Sequence, residues 1–152
     1  MQSTSILLVE DNPDHETLTI RALKKARVMN EIVVAHDGAE ALDLLFGAQG
    51  EPAKPPIPVP QLILLDLKLP KVDGLEVLRR LRADPRTRLV PVVVLTSSDE
   101  EGDVVTSYKL GANSYVCKPV DFVQFMEATR QLGLYWLVLN ETPKAASASA
   151  GR

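Results

Sequence analysis

Five short runs of β-branched and leucine-rich residues, each followed by a longer stretch of helical period, constrain this chain more than any other feature. The runs are Ser5 to Val9, Glu31 to Ala35, Gln61 to Leu65, Val90 to Leu95 and Ser114 to Lys118. Most are apolar at consecutive rather than alternate positions. That pattern belongs to strands covered on both faces, as in a parallel sheet between two helical layers. The intervening segments have readable ends. Asn12-Pro13 joins a cap residue to proline at a first helical position, and Leu18, Ala22, Leu23 and Ala26 follow at spacings of three and four. A second helix runs from about Gly38 to Phe46, with Ala41, Leu42 and Leu45 inward. A third follows Asp73-Gly74, carries Leu75, Leu78 and Leu81 on one face and stops at Asp84-Pro85. The fourth spans about Asp99 to Leu110 and ends at Gly111, where a left-handed cap is expected. The fifth and longest runs from Asp121 to about Leu139.

Strand–helix alternation repeated five times, with right-handed crossovers, predicts an α/β fold: a (βα)5 doubly wound five-stranded parallel sheet with the flavodoxin-like order 2-1-3-4-5. A chain of 152 residues has room for one such domain, expected over residues 1–140. Residues 141–152, rich in alanine and serine, are expected to form a disordered tail. Between Gly47 and Pro60 lie five of the eleven prolines and two glycines, which predicts a long surface loop ahead of the third strand.

Composition removes several function classes. A formal charge of -3 without a long basic run gives little attraction to a phosphate backbone, so direct nucleic-acid binding is not expected. The single cysteine, Cys117, precludes an internal disulfide and a multi-cysteine zinc site, and reads as a core thiol in a buried strand. Four polar residues lead from Met1 into Ile6, without a basic flank, and no stretch reaches the roughly 20 apolar residues needed to span a bilayer. A soluble, cytoplasmic protein that makes no membrane contact is expected.

Ligands of such sheets bind outside the carboxyl ends of the strands, near the point where strand order reverses. Here those ends carry chemistry. The first strand runs into Glu10-Asp11, the third into Asp66, the fourth into Thr96-Ser97 and the fifth into Lys118-Pro119. Three clustered carboxylates repel one another unless a cation neutralises them, and hard oxygen donors suit Mg2+ or Mn2+. A divalent metal bridges carboxylate and phosphate oxygens, while a lysine and a hydroxyl take up remaining phosphoryl charge. The residues describe a phosphate site.

Glu10-Asp11, Asp66 followed by Leu69-Pro70 and Asp73-Gly74, then Thr96 and Lys118-Pro119, resemble in order and spacing the signature of response regulator receiver domains. The resemblance covers about residues 5 to 139. It implies that Asp66 accepts a phosphoryl group from a sensor histidine kinase and that Asp11, Asp66 and the backbone carbonyl of Lys68 bind the metal, with Glu10 acting mostly through water. It further implies that Lys118 and Thr96 contact the phosphoryl oxygens and that the Lys118-Pro119 peptide is cis. Such a protein catalyses its own phosphorylation and dephosphorylation, yet is a signalling protein rather than an enzyme in the usual sense. By the same resemblance Thr96 and Tyr115 form a switch that alters the face made by helix 4, strand 5 and helix 5.

From Leu132 to Leu139 seven of eight positions are apolar, and among them Leu134, Tyr135, Trp136 and Leu137 are expected to form an interface, in a homodimer or with a partner. This stretch and the proline-rich loop are similar to regulators that partner bacterial phytochrome kinases, which makes a bacteriophytochrome the expected kinase. No output domain follows residue 139, so a single-domain regulator is expected. His15 and His36 show no metal-ligand spacing and read as solvated, whereas Lys68 is a basic residue beside the acceptor where the family often has a small polar one. Rival readings fit less well. A haloacid-dehalogenase-type phosphatase wants an aspartate two residues after the nucleophile, where Lys68 stands; a flavin or dinucleotide site wants a first loop that does not face phosphate with Glu10 and Asp11. A receiver-like adaptor that is never phosphorylated has no need of a complete site.

Overall fold

The computed structural model describes residues 5–48, 55–97, 100–118 and 121–131. Its elements are β1 (Ile6–Val9), α1 (Pro13–Lys25), β2 (Ile32–Ala35), α2 (Gly38–Phe46), β3 (Leu62–Leu65), α3 (Gly74–Ala83), β4 (Val92–Thr96), α4 (Glu101–Lys109), β5 (Ser114–Cys117) and α5 (Phe122–Gln131). The five strands pair in parallel in the order β2-β1-β3-β4-β5, as the alternation predicts.

Each face of the sheet supplies one of two core clusters, the larger on the α2–α3 side. Leu7, Val9, Ile63, Leu65, Val92 and Val94 point toward α2 and α3, where Leu42, Leu45, Val77, Leu78 and Leu81 meet them. Ile6, Leu8, Leu62, Leu64, Val93 and Leu95 point the other way and pack with Leu23, Phe125 and Ala128. Alternate residues of one strand serve opposite layers, so the three central strands are buried at every position.

Several expectations shift. The inward stripe of α1 lies one residue later than the apolar spacing suggests. Thr19 and Leu23 are buried, while Leu18 is 54% exposed. Cys117 is half-buried rather than a core thiol, because β5 is an edge strand on which burial alternates. Strand β4 starts at Val92 instead of Val90, since Pro91 has no N–H to give a ladder, and it continues to Thr96. Helix α4 starts at Glu101, behind Glu100, which makes no side-chain cap bond. Gly111 takes the left-handed conformation (φ 103°) foreseen for it.

The second half of the proline-rich segment is pinned to the domain. Ile57 N–H donates to the Leu44 carbonyl (2.8 Å), the Arg86 guanidinium donates to the Ile57 carbonyl (3.5 Å), and Pro60 is buried. The apolar stretch 132–139, with Leu134, Tyr135, Trp136 and Leu137, and the tail 141–152 lie outside the described residues.

At the edge of the sheet opposite the carboxyl ends, Arg82 bolts three segments together. Its guanidinium donates to the carbonyls of Gly111 (2.7 and 3.0 Å), Val90 (2.7 Å) and Arg88 (2.9 Å), and to Asn113 Oδ1 (3.1 Å). Asn113 Oδ1 in turn accepts the Val92 N–H, so the end of α3, the entry to β4 and the α4–β5 turn share one hub. Removing the fork leaves partly buried carbonyls without donors. Arg82→Met is therefore expected to lower the unfolding free energy by about 2 kcal/mol in a urea titration, and Arg82→Lys to recover only part of it, since an ammonium cannot reproduce the planar fork.

Candidate phosphoryl and metal site

Glu10, Asp66 and Lys118 sit one step beyond the last ladder pairs of their strands, and their backbone is fixed by the neighbouring strands. Glu10 N–H donates to the Ala35 carbonyl (2.9 Å), Asp66 N–H to that of Val9 (3.1 Å) and Lys118 N–H to that of Thr96 (2.8 Å). Three parallel strand ends are thus held in register with their next side chains turned toward one point. Helix α3 closes on this point from below. Gly74 N–H donates to the Leu67 carbonyl (2.9 Å), and a Cβ at Gly74 would lie 2.2 Å from the carbonyl oxygen of Asp66, so a side chain there must push the helix off that strand end. That is the physical content of the Asp73-Gly74 pair.

Glu10, Asp66 and Thr96 are buried, whereas Asp11 is exposed at the rim. Carboxylate oxygens of Glu10, Asp11 and Asp66 lie within 4.8 Å of one another. Lys118, whose side chain is 5% exposed, places its ammonium between two of them, ion-paired with Glu10 and 3.0 Å from Asp66 Oδ2. The other carboxylate oxygen, Asp66 Oδ1, accepts the Lys68 N–H at 3.2 Å. The third partner of Lys118 is His15, whose Nδ1 lies 3.1 Å from the ammonium nitrogen.

Burial raises the Glu10 carboxyl above its ordinary value of 4.5, and the negative charge of Asp66 adds to this, while Lys118 and the Asn12 N–H pull it down. Burial wins. A donor set made only of oxygens, with more negative charge than one lysine offsets, fits a hard divalent cation.

The sequence expectations divide accordingly. Glu10, Asp11, Asp66 and Lys118 are brought together, and Thr96, wholly buried as the last residue of β4, adjoins them through its carbonyl, which accepts the Lys118 N–H. The Lys68 side chain is exposed and its ammonium sits 3.4 Å from Asp103 Oδ2 on α4. Tyr115 is half-buried on β5, packed against the α2–α3 side of the core, and lines a groove between β5 and α5. Pro119 is outside the described residues. His36 is exposed and bonded to Glu16 on α1 (3.1 Å). His15, read as solvated, is instead half-buried and joined to the site. The available signal was its place four residues before Thr19, on the true inward stripe of α1.

Comparison with known proteins gives a consistent picture. A family described as response regulator receiver domain matches residues 6–130. A probable methanogenesis regulatory protein, FilR2 of Methanothrix harundinacea, is 40% identical over 93% of this chain and 88% of its own length. Response regulator Rcp1 of Synechocystis is 39% identical over 92% of this chain and 93% of its own. The crystal structure of the Mn(2+)-bound form of Rcp1 covers 91% of this chain and 98% of its own at 37% identity, with a TM-score of 0.70. The bacteriophytochrome response regulator RtBRR is 51% identical and superposes with a TM-score of 0.76, covering 94% of this chain and 85% of its own.

The charge balance makes a pH prediction. Because Glu10 holds its proton more tightly folded than unfolded, the stability it contributes is present below its unfolded value of 4.5 and is lost as pH rises through the folded value. Metal-free Glu10→Gln should therefore melt above the wild type at pH 7, by roughly 2–4 °C for an effect of about 1 kcal/mol in a domain of this size. The difference should close as the pH is brought down to the ordinary carboxylate range. Melting curves in a chelator at several pH values test this, and a wild type that melts at or above the variant at pH 7 contradicts it.

Proposed function

This chain belongs to the response regulator receiver domain family, and we propose that within it the chain is a single-domain phosphorelay regulator that accepts a phosphoryl group on Asp66 from a sensor histidine kinase. One observation carries the reading: Asp66 is a buried strand-end carboxylate with a buried lysine 3.0 Å from one oxygen and two further carboxylates beside it. The chain also spans most of the length of relatives that are themselves response regulators.

In the transfer, an oxygen of Asp66 bonds to the phosphorus of a phosphohistidine as the N–P bond breaks, and the electron pair leaves with the imidazole, which takes up a proton from water. Negative charge then rises on the three phosphoryl oxygens. Lys118, already desolvated, would move its charge from the Asp66 carboxylate to those oxygens, and the Thr96 hydroxyl would donate to one of them. Glu10, Asp11 and Asp66, with the backbone carbonyl of Lys68, would hold Mg2+ or Mn2+, and the cation when bound would supply positive charge to offset that of the carboxylates and of the transferred group.

Helix α4 is the element most readily displaced in response. Ser107 is its one buried residue, its first turn has no side-chain cap, and its Asp103 is paired with Lys68 beside the acceptor. Movement of Thr96 toward the phosphoryl group would release space into which Tyr115 turns inward, and so alter the face formed by α4, β5 and α5. The kinase we assign is a bacteriophytochrome, on the 51% identity to a bacteriophytochrome response regulator.

Radiolabelled acetyl phosphate with Mg2+ should label the wild type and leave Asp66→Asn unlabelled. Purified phytochrome kinase should transfer its phosphoryl group faster than unrelated histidine kinases. Undiminished label in Asp66→Asn removes the acceptor assignment, and equal transfer from all kinases removes the phytochrome assignment alone.

A further inference from the structure

We propose that His15 is a positioning residue for phosphoryl transfer, holding the Lys118 ammonium through an uncharged acceptor. This inference rests on the reading of Asp66 as phosphoacceptor and adds a residue that the phosphate-site motif does not include. An ammonium has three N–H donors and no acceptor. All three have partners of known identity here: Glu10, Asp66 Oδ2 at 3.0 Å and His15 Nδ1 at 3.1 Å. The two carboxylates pull Lys118 by charge, and the imidazole alone holds it by a neutral hydrogen bond.

The distinction matters for the transfer. If a third carboxylate stood at position 15, it would compete with the phosphoryl oxygens for the positive charge. An imidazole nitrogen fixes the direction of the side chain and leaves that charge whole for the oxygens that gain it. The contact also sets the tautomer: Nδ1 must be the acceptor, so the ring proton sits on Nε2.

The histidine is well placed for this. Asn12 caps α1 by accepting the N–H groups of Asp14 (2.9 Å) and His15 (3.2 Å), and Pro13 occupies the first helical position. The first turn is thereby fixed relative to Glu10, whose Oε2 accepts the Asn12 N–H at 3.2 Å. His15, half-buried, stands on the stripe that continues inward through Thr19 and Leu23.

Two measurements test the proposal. The chain has two histidines, so 15N-histidine labelling gives two ring systems to assign, and NMR of the whole protein should show His15 protonated on Nε2, with an Nδ1 resonance that shifts in Lys118→Ala. A proton on Nδ1, or no shift in Lys118→Ala, overturns it. Second, rates of labelling by acetyl phosphate at saturating Mg2+ are compared for the wild type, His15→Ala and His15→Asn, whose melting curves report that they fold. His15→Ala should be about 3- to 10-fold slower, the kinetic equivalent of one hydrogen bond. His15→Asn, which can put its amide oxygen near the place of Nδ1, should recover most of the loss. Equal rates for the wild type and His15→Ala, or no recovery in His15→Asn, overturn the role of His15 and leave Asp66 as acceptor. A wild type that takes no label overturns both.

Discussion

Lys118 carries a charge almost wholly removed from solvent, and the rest of the site is arranged around that fact. A buried ammonium needs partners for its charge and for its three protons, and Glu10, Asp66 and His15 supply them. Yet the partners overshoot. With Asp11 at the rim, three carboxylates gather around Lys118 among the described residues, and burial raises the proton affinity of Glu10. The pocket is left short of positive charge, so the same imbalance that costs stability suits the site to a divalent cation.

The scaffold delivers these groups with little freedom. Three central strands with no exposed residue leave the sheet no alternative register, and the backbone N–H groups of Glu10, Asp66 and Lys118 are each held by the carbonyl of an adjacent strand. Gly74 lets α3 press against the carbonyl of Asp66, and the cap at Asn12 orients the first turn of α1 over the pocket. Against this rigidity α4 stands out, with one buried serine and an uncapped start. A rigid floor and a lightly anchored helix beside it are what a charge-triggered response requires.

Much of this was legible before the structure, for physical reasons. Continuous apolarity marks a strand buried on both faces, so the central strands and their parallel order could be read directly, and strand ends are where chemistry on such a sheet collects. The features that escaped depend on geometry that no local pattern encodes. Leu18 satisfies the apolar spacing of α1 better than Thr19 does, but the helix turns Thr19 inward and leaves Leu18 in solvent. Cys117 follows from the edge position of β5, which the expected strand order already contained but the apolar run concealed. Arg82 meets Gly111 from 29 residues away, and His15 meets Lys118 from 103. Contacts at that separation exist only once the layers are packed.

The central claim is that, of the carboxylates gathered at this edge, Asp66 is the one that takes the phosphoryl group. Borohydride reduction of the freshly phosphorylated protein tests it most directly, since an aspartyl phosphate is reduced to homoserine and the modified residue can be placed by peptide mass spectrometry. Homoserine at position 66, formed only when both phosphodonor and divalent metal are present, is the result predicted. Reduction at position 10 or 11, or at none of the three, would contradict it.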